Sequence, residues 1–224
     1  MQPSHHDTEL TTGDAAAFVR ANTRLLTPPL VPEIKLHLAE ESVPIWLKSE
    51  EELGEINVPP PYWAFAWAGG QALARYLLDH PDCCRGKDVI DLGAGSGLTA
   101  IAAAMTGARH VLAADIDNFA LAACGLNAAA NGVAFDVTNA DLLASPPPVA
   151  CVVLVGDLFY ERSLADRVLA FIAASRAGGA AVYIGDPQRN YFPRDRFVLL
   201  SSYEVPVTRD LEDAEIKKTA VWQA

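Results

Sequence analysis

The hydrophobic rhythm of the chain changes near Lys87. Beyond it, short apolar runs alternate with longer segments whose apolar positions recur at helical spacing. KDVIDLG (87–93), HVLAADI (110–116), AFDVTNADLL (134–143), ACVVLVGD (150–157) and AAVYIGD (180–186) read as strands. SGLTAIAAAMTG (96–107), NFALAACGLNAAANG (118–132) and RSLADRVLAFIAASRAGG (162–179) read as helices, the second closing on an Asn131–Gly132 C-cap. Strands alternating with helices of this length require crossover units and so a parallel sheet. RFVLLSSYEVP (196–206) and EIKKTAVWQA (215–224) read as two further strands joined by an acidic loop, an antiparallel C-terminal hairpin on that sheet.

Ahead of Lys87 the pattern is less regular. DAAAFVRANTRLL (14–26) predicts a short helix. In EIKLHLAEE (33–41), Ile34, Leu36 and Leu38 alternate with Lys35 and His37, and VPIWLKSE (43–50) follows, which predicts a small hairpin. Prolines at 59–61 mark a boundary, and a helical pattern from about Trp63 to Asp79 carries Leu73, Tyr76 and Leu77 on one face. The expected organisation is a disordered tail over 1–13, a helix and hairpin extension over 14–60, and an α/β domain over 61–224.

Composition narrows the function classes. Of 224 residues, 51% are hydrophobic and 20% charged, as in a packed globular protein. The formal charge of −11 argues against a nucleic-acid partner and for a cationic, neutral or protein one. Every apolar run is interrupted before the length a membrane span needs, and MQPSHHDTELTTGD lacks the features of a signal or transit peptide. A cytoplasmic location is expected. Cys83, Cys84, Cys124 and Cys151 show no zinc spacing, nor do the five histidines, so no metal site is expected.

DLGAGSGLTA is the most informative stretch. Gly93, Gly95 and Gly97 follow a strand and open a helix, where missing β-carbons permit close approach to a ligand. A dinucleotide fingerprint would be GxGxxG, but Leu98 stands at the third glycine and Asp91 precedes the loop. A carboxylate there suits a cationic ligand better than a pyrophosphate. Asp115 ends the next strand, where an acid can accept from both ribose hydroxyls, and Asp141 follows the third, within reach of an adenine amino group. Each feature alone is a common turn or cap. Together they describe an adenosine with a cationic amino-acid tail, S-adenosylmethionine.

The chain resembles the class I, seven-strand methyltransferases. Within them it is similar to the protein-lysine branch, and most closely to the electron transfer flavoprotein beta-subunit lysine methyltransferases. PPPYWAFAWAGGQALARYL (59–77), DLGAGSGLTAIAA (91–103), ADIDNFAL (114–121), GDLFYE (156–161) and GDPQRNYFP (185–193) carry the resemblance. It implies a Rossmann-like α/β sheet over 61–224 and a cofactor-binding set of Trp67, Asp91, Gly93, Ala94, Gly95, Gly97, Asp115, Ile116 and Asp141. It also implies that Asp157 and Tyr160 form the acid-x-x-aromatic motif assigned to the methyl-accepting lysine, with the electron transfer flavoprotein beta subunit as protein substrate.

On this reading Asp157 holds and aligns the amine and Tyr160 adds a cation–π wall. The carboxylate would favour ammonium over the nucleophilic amine, so it is not an obvious base. The rival readings are a lysine on another protein such as a ribosomal one, a small-molecule amine, and a cofactor-binding module without turnover. Enzymes acting on planar amino groups place Asn/Asp-Pro-Pro-aromatic after the fourth strand, where this chain has Asp157-Leu-Phe-Tyr160.

Overall fold

Strand segments with no polar face, such as Val152–Val155, must be covered on both sides, and the computed structural model places them at the centre of a sheet. The structure describes residues 12–39, 60–207 and 215–224. Two short strands, β1 (Arg24–Leu26) and β2 (Leu36–Leu38), pair by themselves. The main sheet follows: β3 (Asp88–Leu92), β4 (His110–Ala114), β5 (Asp136–Thr138), β6 (Val152–Gly156), β7 (Ala181–Asp186), β8 (Val198–Pro206) and β9 (Ile216–Gln223). Its order is β5-β4-β3-β6-β7-β9-β8. Strands β3 to β7 are parallel, β9 runs antiparallel to β7, and β8 antiparallel to β9, as the sequence leads one to expect.

The helices are α1 (Thr12–Ala21), α2 (Ala68–Asp79), α3 (Leu98–Met105), α4 (Asn118–Ala130) and α5 (Arg162–Ala177). Alternate strand residues feed two cores. Val89 and Leu154 join Leu73 and Leu77 of α2 and Ile101 of α3, whereas Ile90 and Val153 join Phe171 and Ile172 of α5. A third cluster packs Val19 of α1 on Trp63, Phe119 and Ala123.

Three local readings change. The helix expected over 14–26 stops at Ala21, because Asn22 Nδ2 donates to the Phe18 carbonyl (2.9 Å) and Thr23 Oγ1 to that of Val19 (2.6 Å). The chain then turns into β1, which pairs with β2 in the register Arg24↔Leu38. The strand expected over 43–50, residues 1–11 of the tail and the acidic loop at 208–214 lie outside the described residues. The helical pattern from Trp63 resolves into a 3-10 turn, Tyr62–Ala64, and then α2. The third strand of the domain shrinks from 134–143 to Asp136–Thr138, since Asp141 caps a 3-10 turn over Leu142–Ala144.

The first turn of α2 lies in backbone contact with the sheet. A β-carbon on Gly69 would sit 2.2 Å from the Gly185 carbonyl oxygen, and one on Gly185 would sit 2.1 Å from that of Gly69. Glycine at both positions therefore sets the height of α2 above β6 and β7. That height brings the Gly70 amide within 2.8 Å of Asp157 Oδ2.

Candidate active site

The carboxyl ends of the parallel strands open into a cavity of about 490 Å³. The sheet order lays out its wall, from Asp141 after β5, to Asp115 after β4, Gly93 after β3, Asp157 after β6 and Arg189 after β7. Ligands of open α/β sheets bind in such a crevice. Of the residues singled out from sequence, Trp67, Gly93, Gly95, Asp115, Ile116, Asp141, Asp157 and Tyr160 line it.

At the β4 end, Asp115 is held by the loops around it. Its Oδ2 accepts from the Gly95 amide (2.9 Å) and its Oδ1 from the Asp117 amide (3.0 Å). Gly95 adopts φ 50°, a left-handed conformation that side chains resist and that aims its N–H at the acid. Burial pushes the Asp115 carboxyl above its ordinary pKa, and the two amide hydrogen bonds oppose that shift. Each oxygen retains a lone pair, so the carboxylate can accept from two further donors such as vicinal hydroxyls. Ile116 is 73% exposed against the same cavity and offers apolar surface for a ring to cover. These features fit an adenosine. Asp115→Ala is expected to weaken S-adenosylmethionine binding by roughly 10- to 100-fold, the worth of charge-assisted hydrogen bonds, in a calorimetric titration. Unchanged affinity would remove Asp115 from the site.

Asp141 is half-committed elsewhere: its Oδ2 accepts from Arg167 Nη2 (2.6 Å) and its Oδ1 from the Leu143 amide (3.1 Å). Asp91, Ala94 and Gly97 do not line the cavity. Asp91 is 1% exposed, with Oδ1 accepting from Thr99 Oγ1 (2.6 Å) and Oδ2 from the Ala100 amide (2.9 Å). Both oxygens thus serve the start of α3, and burial pushes its pKa up to about 6. Gly97 lies against Cys124, whose Sγ would be 3.0 Å from an added β-carbon. These residues shape the loop from behind.

The β6–β7 end is aromatic and charged. Tyr62 and Tyr160 have ring centroids 5.8 Å apart, and Tyr62 is 6.1 Å from Trp67. The Trp67 indole N–H donates to the Tyr62 carbonyl (2.8 Å), which fixes the ring. Phe159, by contrast, is fully buried against Phe192. Asp157 is 7% exposed and adopts φ 58°, which Asp tolerates better than most side chains. Its Oδ1 accepts from Arg189 Nη2 (2.7 Å) and Nε (3.0 Å), and its Oδ2 from the Gly70 amide at the start of α2. Sequence reasoning gave no role to Tyr62 or Arg189. Their signals were present in the quoted PPPYWAFAWAGG and GDPQRNYFP segments, but only the fold brings those segments together.

Comparison with known proteins places this chain in a family. The family model described as ribosomal protein L11 methyltransferase matches residues 72–174. An electron transfer flavoprotein beta subunit lysine methyltransferase from Rattus norvegicus is 37% identical over 213 residues, 92% of this chain and 82% of the relative. Its counterpart from Mus musculus is 38% identical over 213 residues, with the same coverage of 92% and 82%. The chain belongs to the electron transfer flavoprotein beta-subunit lysine methyltransferase family. It is an S-adenosylmethionine-dependent methyltransferase. Among solved structures, magnesium protoporphyrin IX methyltransferase from Synechocystis PCC 6803 with bound S-adenosylmethionine shares the fold. The TM-score is 0.50 at 15% identity, covering 69% of this chain and 76% of that one.

Proposed function

We propose that this member of the family methylates lysine side chains of the electron transfer flavoprotein beta subunit, with Asp157 and Tyr160 at the acceptor end of the cavity. The observation that supports it is the arrangement along the strand ends. A ribose-type acceptor, Asp115, lies at one part of the cavity, and a carboxylate walled by Tyr62, Trp67 and Tyr160 lies at another.

When bound, S-adenosylmethionine supplies an electrophilic methyl group on a sulfonium sulfur. Asp115, Ile116, Gly93 and Gly95 would hold it, with Trp67 flanking. Asp157 would then align the acceptor nitrogen, and the aromatic walls would exclude water and guide the lysine stem. Alignment of this kind is worth about 7–11 kcal/mol when both partners are held. The left-handed turn at Asp157 and the α2 contact make the carboxylate rigid before any substrate arrives.

The match to the ribosomal protein L11 methyltransferase family favours a second reading, a lysine on a ribosomal protein. It covers only the middle of the chain, whereas the flavoprotein-directed relatives extend over 92% of it. Labelled S-adenosylmethionine and purified electron transfer flavoprotein separate the two, with label mapped by mass spectrometry. Label on beta-subunit lysines is the expected result. Label on a different protein in a whole lysate would keep the chemistry and discard the substrate. Cofactor binding with no label anywhere would leave a non-catalytic module.

A further inference from the structure

We propose that Arg189 is a positioning residue that keeps the Asp157 carboxylate compensated, so that the acceptor lysine is held as the neutral amine and not as ammonium. The inference rests on the lysine-transfer reading above and assigns the step that reading leaves open, the loss of the amine proton.

The difficulty is electrostatic. A free lysine has a pKa of about 10.4, and its ammonium form has no lone pair to attack with. A lone buried carboxylate at the acceptor position would bind that ammonium well and hold it unreactive. In this structure the Asp157 charge is already met from two sides. Arg189 donates to Oδ1 through Nε (3.0 Å) and Nη2 (2.7 Å), and the helix α2 amide of Gly70 donates to Oδ2 (2.8 Å). The first turn of α2 carries no acid that would cancel the favourable helix dipole.

Arg189 is built to stay. Its side chain is 18% exposed, its guanidinium carbon lies 5.5 Å from the Trp67 ring centroid, and its own amide donates to Asp186 Oδ1 (2.7 Å). Gln188 beside it adopts φ 65°, so the turn is held in a conformation that only its anchors justify. Among the described residues, the surrounding charges leave the compensation in place. Asp186 is fully buried, and burial together with the Asp157 charge pushes its pKa up to about 7, so it carries only part of a negative charge at neutrality, and its Oδ1 is engaged by the Arg189 amide. Tyr62 and Tyr160 face the amine site side by side, and burial pushes the Tyr160 pKa up. Glu161 follows Tyr160 and hydrogen-bonds Ser163, Asp115 and Asp117 lie after β4, and Asp141 is paired with Arg167.

An ammonium entering here meets a carboxylate already engaged and the positive guanidinium beside it. A neutral amine meets neither penalty. The amine sheds its proton to solvent as it docks. Its lone pair then forms the new N–C bond, while the methyl–sulfur bond breaks and its electron pair stays on sulfur. The positive charge passes to nitrogen, and the product is a methylammonium.

The test measures protons as well as turnover. Wild-type protein saturated with S-adenosylhomocysteine is titrated with purified electron transfer flavoprotein at pH 7.5 in buffers of different ionisation enthalpy. Close to one proton released per lysine bound is expected, and less than half of that for Arg189→Gln. In turnover, the acidic limb of the kcat profile should move up by at least one pH unit in Arg189→Gln and stay in place in Arg189→Lys, which keeps the charge. Binding by the wild type without proton release overturns the proposal, whether or not the variant folds. So does an Arg189→Gln rate that falls by a constant factor at every pH, which marks a merely structural residue. If the wild type labels no lysine at any pH, the function reading has failed instead.

Discussion

Gly69→Ala should lower the melting temperature by roughly 2–12 °C and remove most of the activity, whereas Gly70→Ala should do neither. The new methyl at Gly69 would lie 2.2 Å from the Gly185 carbonyl oxygen and 2.5 Å from Asp157 Oδ2, distances no real structure tolerates. Helix α2 must lift, and overpacking of this kind costs about 1–3 kcal/mol. For a chain of this size each kcal/mol is worth about 2–4 °C. At Gly70 the nearest atom to an added β-carbon is Leu98 Cδ2 at 3.8 Å, an ordinary contact, and alanine gains helix propensity of about 1 kcal/mol. Melting curves of the two neighbours decide the matter. Equal effects would mean that α2 does not rest on the strand ends as described.

Asp157→Ala should reduce methyl transfer by at least about 100-fold while leaving S-adenosylmethionine affinity within a few-fold of wild type. Lost alignment alone can cost that much. The substitution also removes the acceptor for Gly70 at the start of α2, worth about 0.5–2 kcal/mol, and leaves the Arg189 charge without this carboxylate. A lower melting temperature should therefore accompany the lost activity, and Asp157→Asn, which still offers Gly70 an oxygen, should recover part of it. Should cofactor affinity fall in step with activity, Asp157 belongs to the cofactor end and the acceptor assignment is wrong.

The alternation of strands and helices was legible because each run from Lys87 onward has one dominant period, and burial on both faces rewards that period directly. The place of Asp115 in the cavity was legible too, since its position at the end of β4 follows from the order of elements alone. What escaped was longer range. Arg24–Leu26 continues a helical pattern on paper, yet Asn22 and Thr23 close the helix with their own side chains and free the next residues to pair with β2. Asp91 looked like a partner for a cationic ligand because it stands immediately before the glycine loop, where a pyrophosphate would not tolerate a carboxylate. Thr99 and the Ala100 amide claim it from below, and no spacing rule ranks the two demands. Arg189 lies 32 positions from Asp157, across helix α5 and a whole strand, and only the parallel pairing of β6 with β7 makes them neighbours.

That pairing bears on which side chains of a partner surface are eligible at all. Lysine and arginine often stand side by side on a basic patch, and an acidic protein of net charge −11 will attract both. A guanidinium keeps its proton at any physiological pH. It would come to rest as a second arginine beside Arg189, facing an acid already spoken for. Lysine alone can leave its charge at the door, so the ion pair at the end of β6 would sort the two by acidity, with no need to measure their shape.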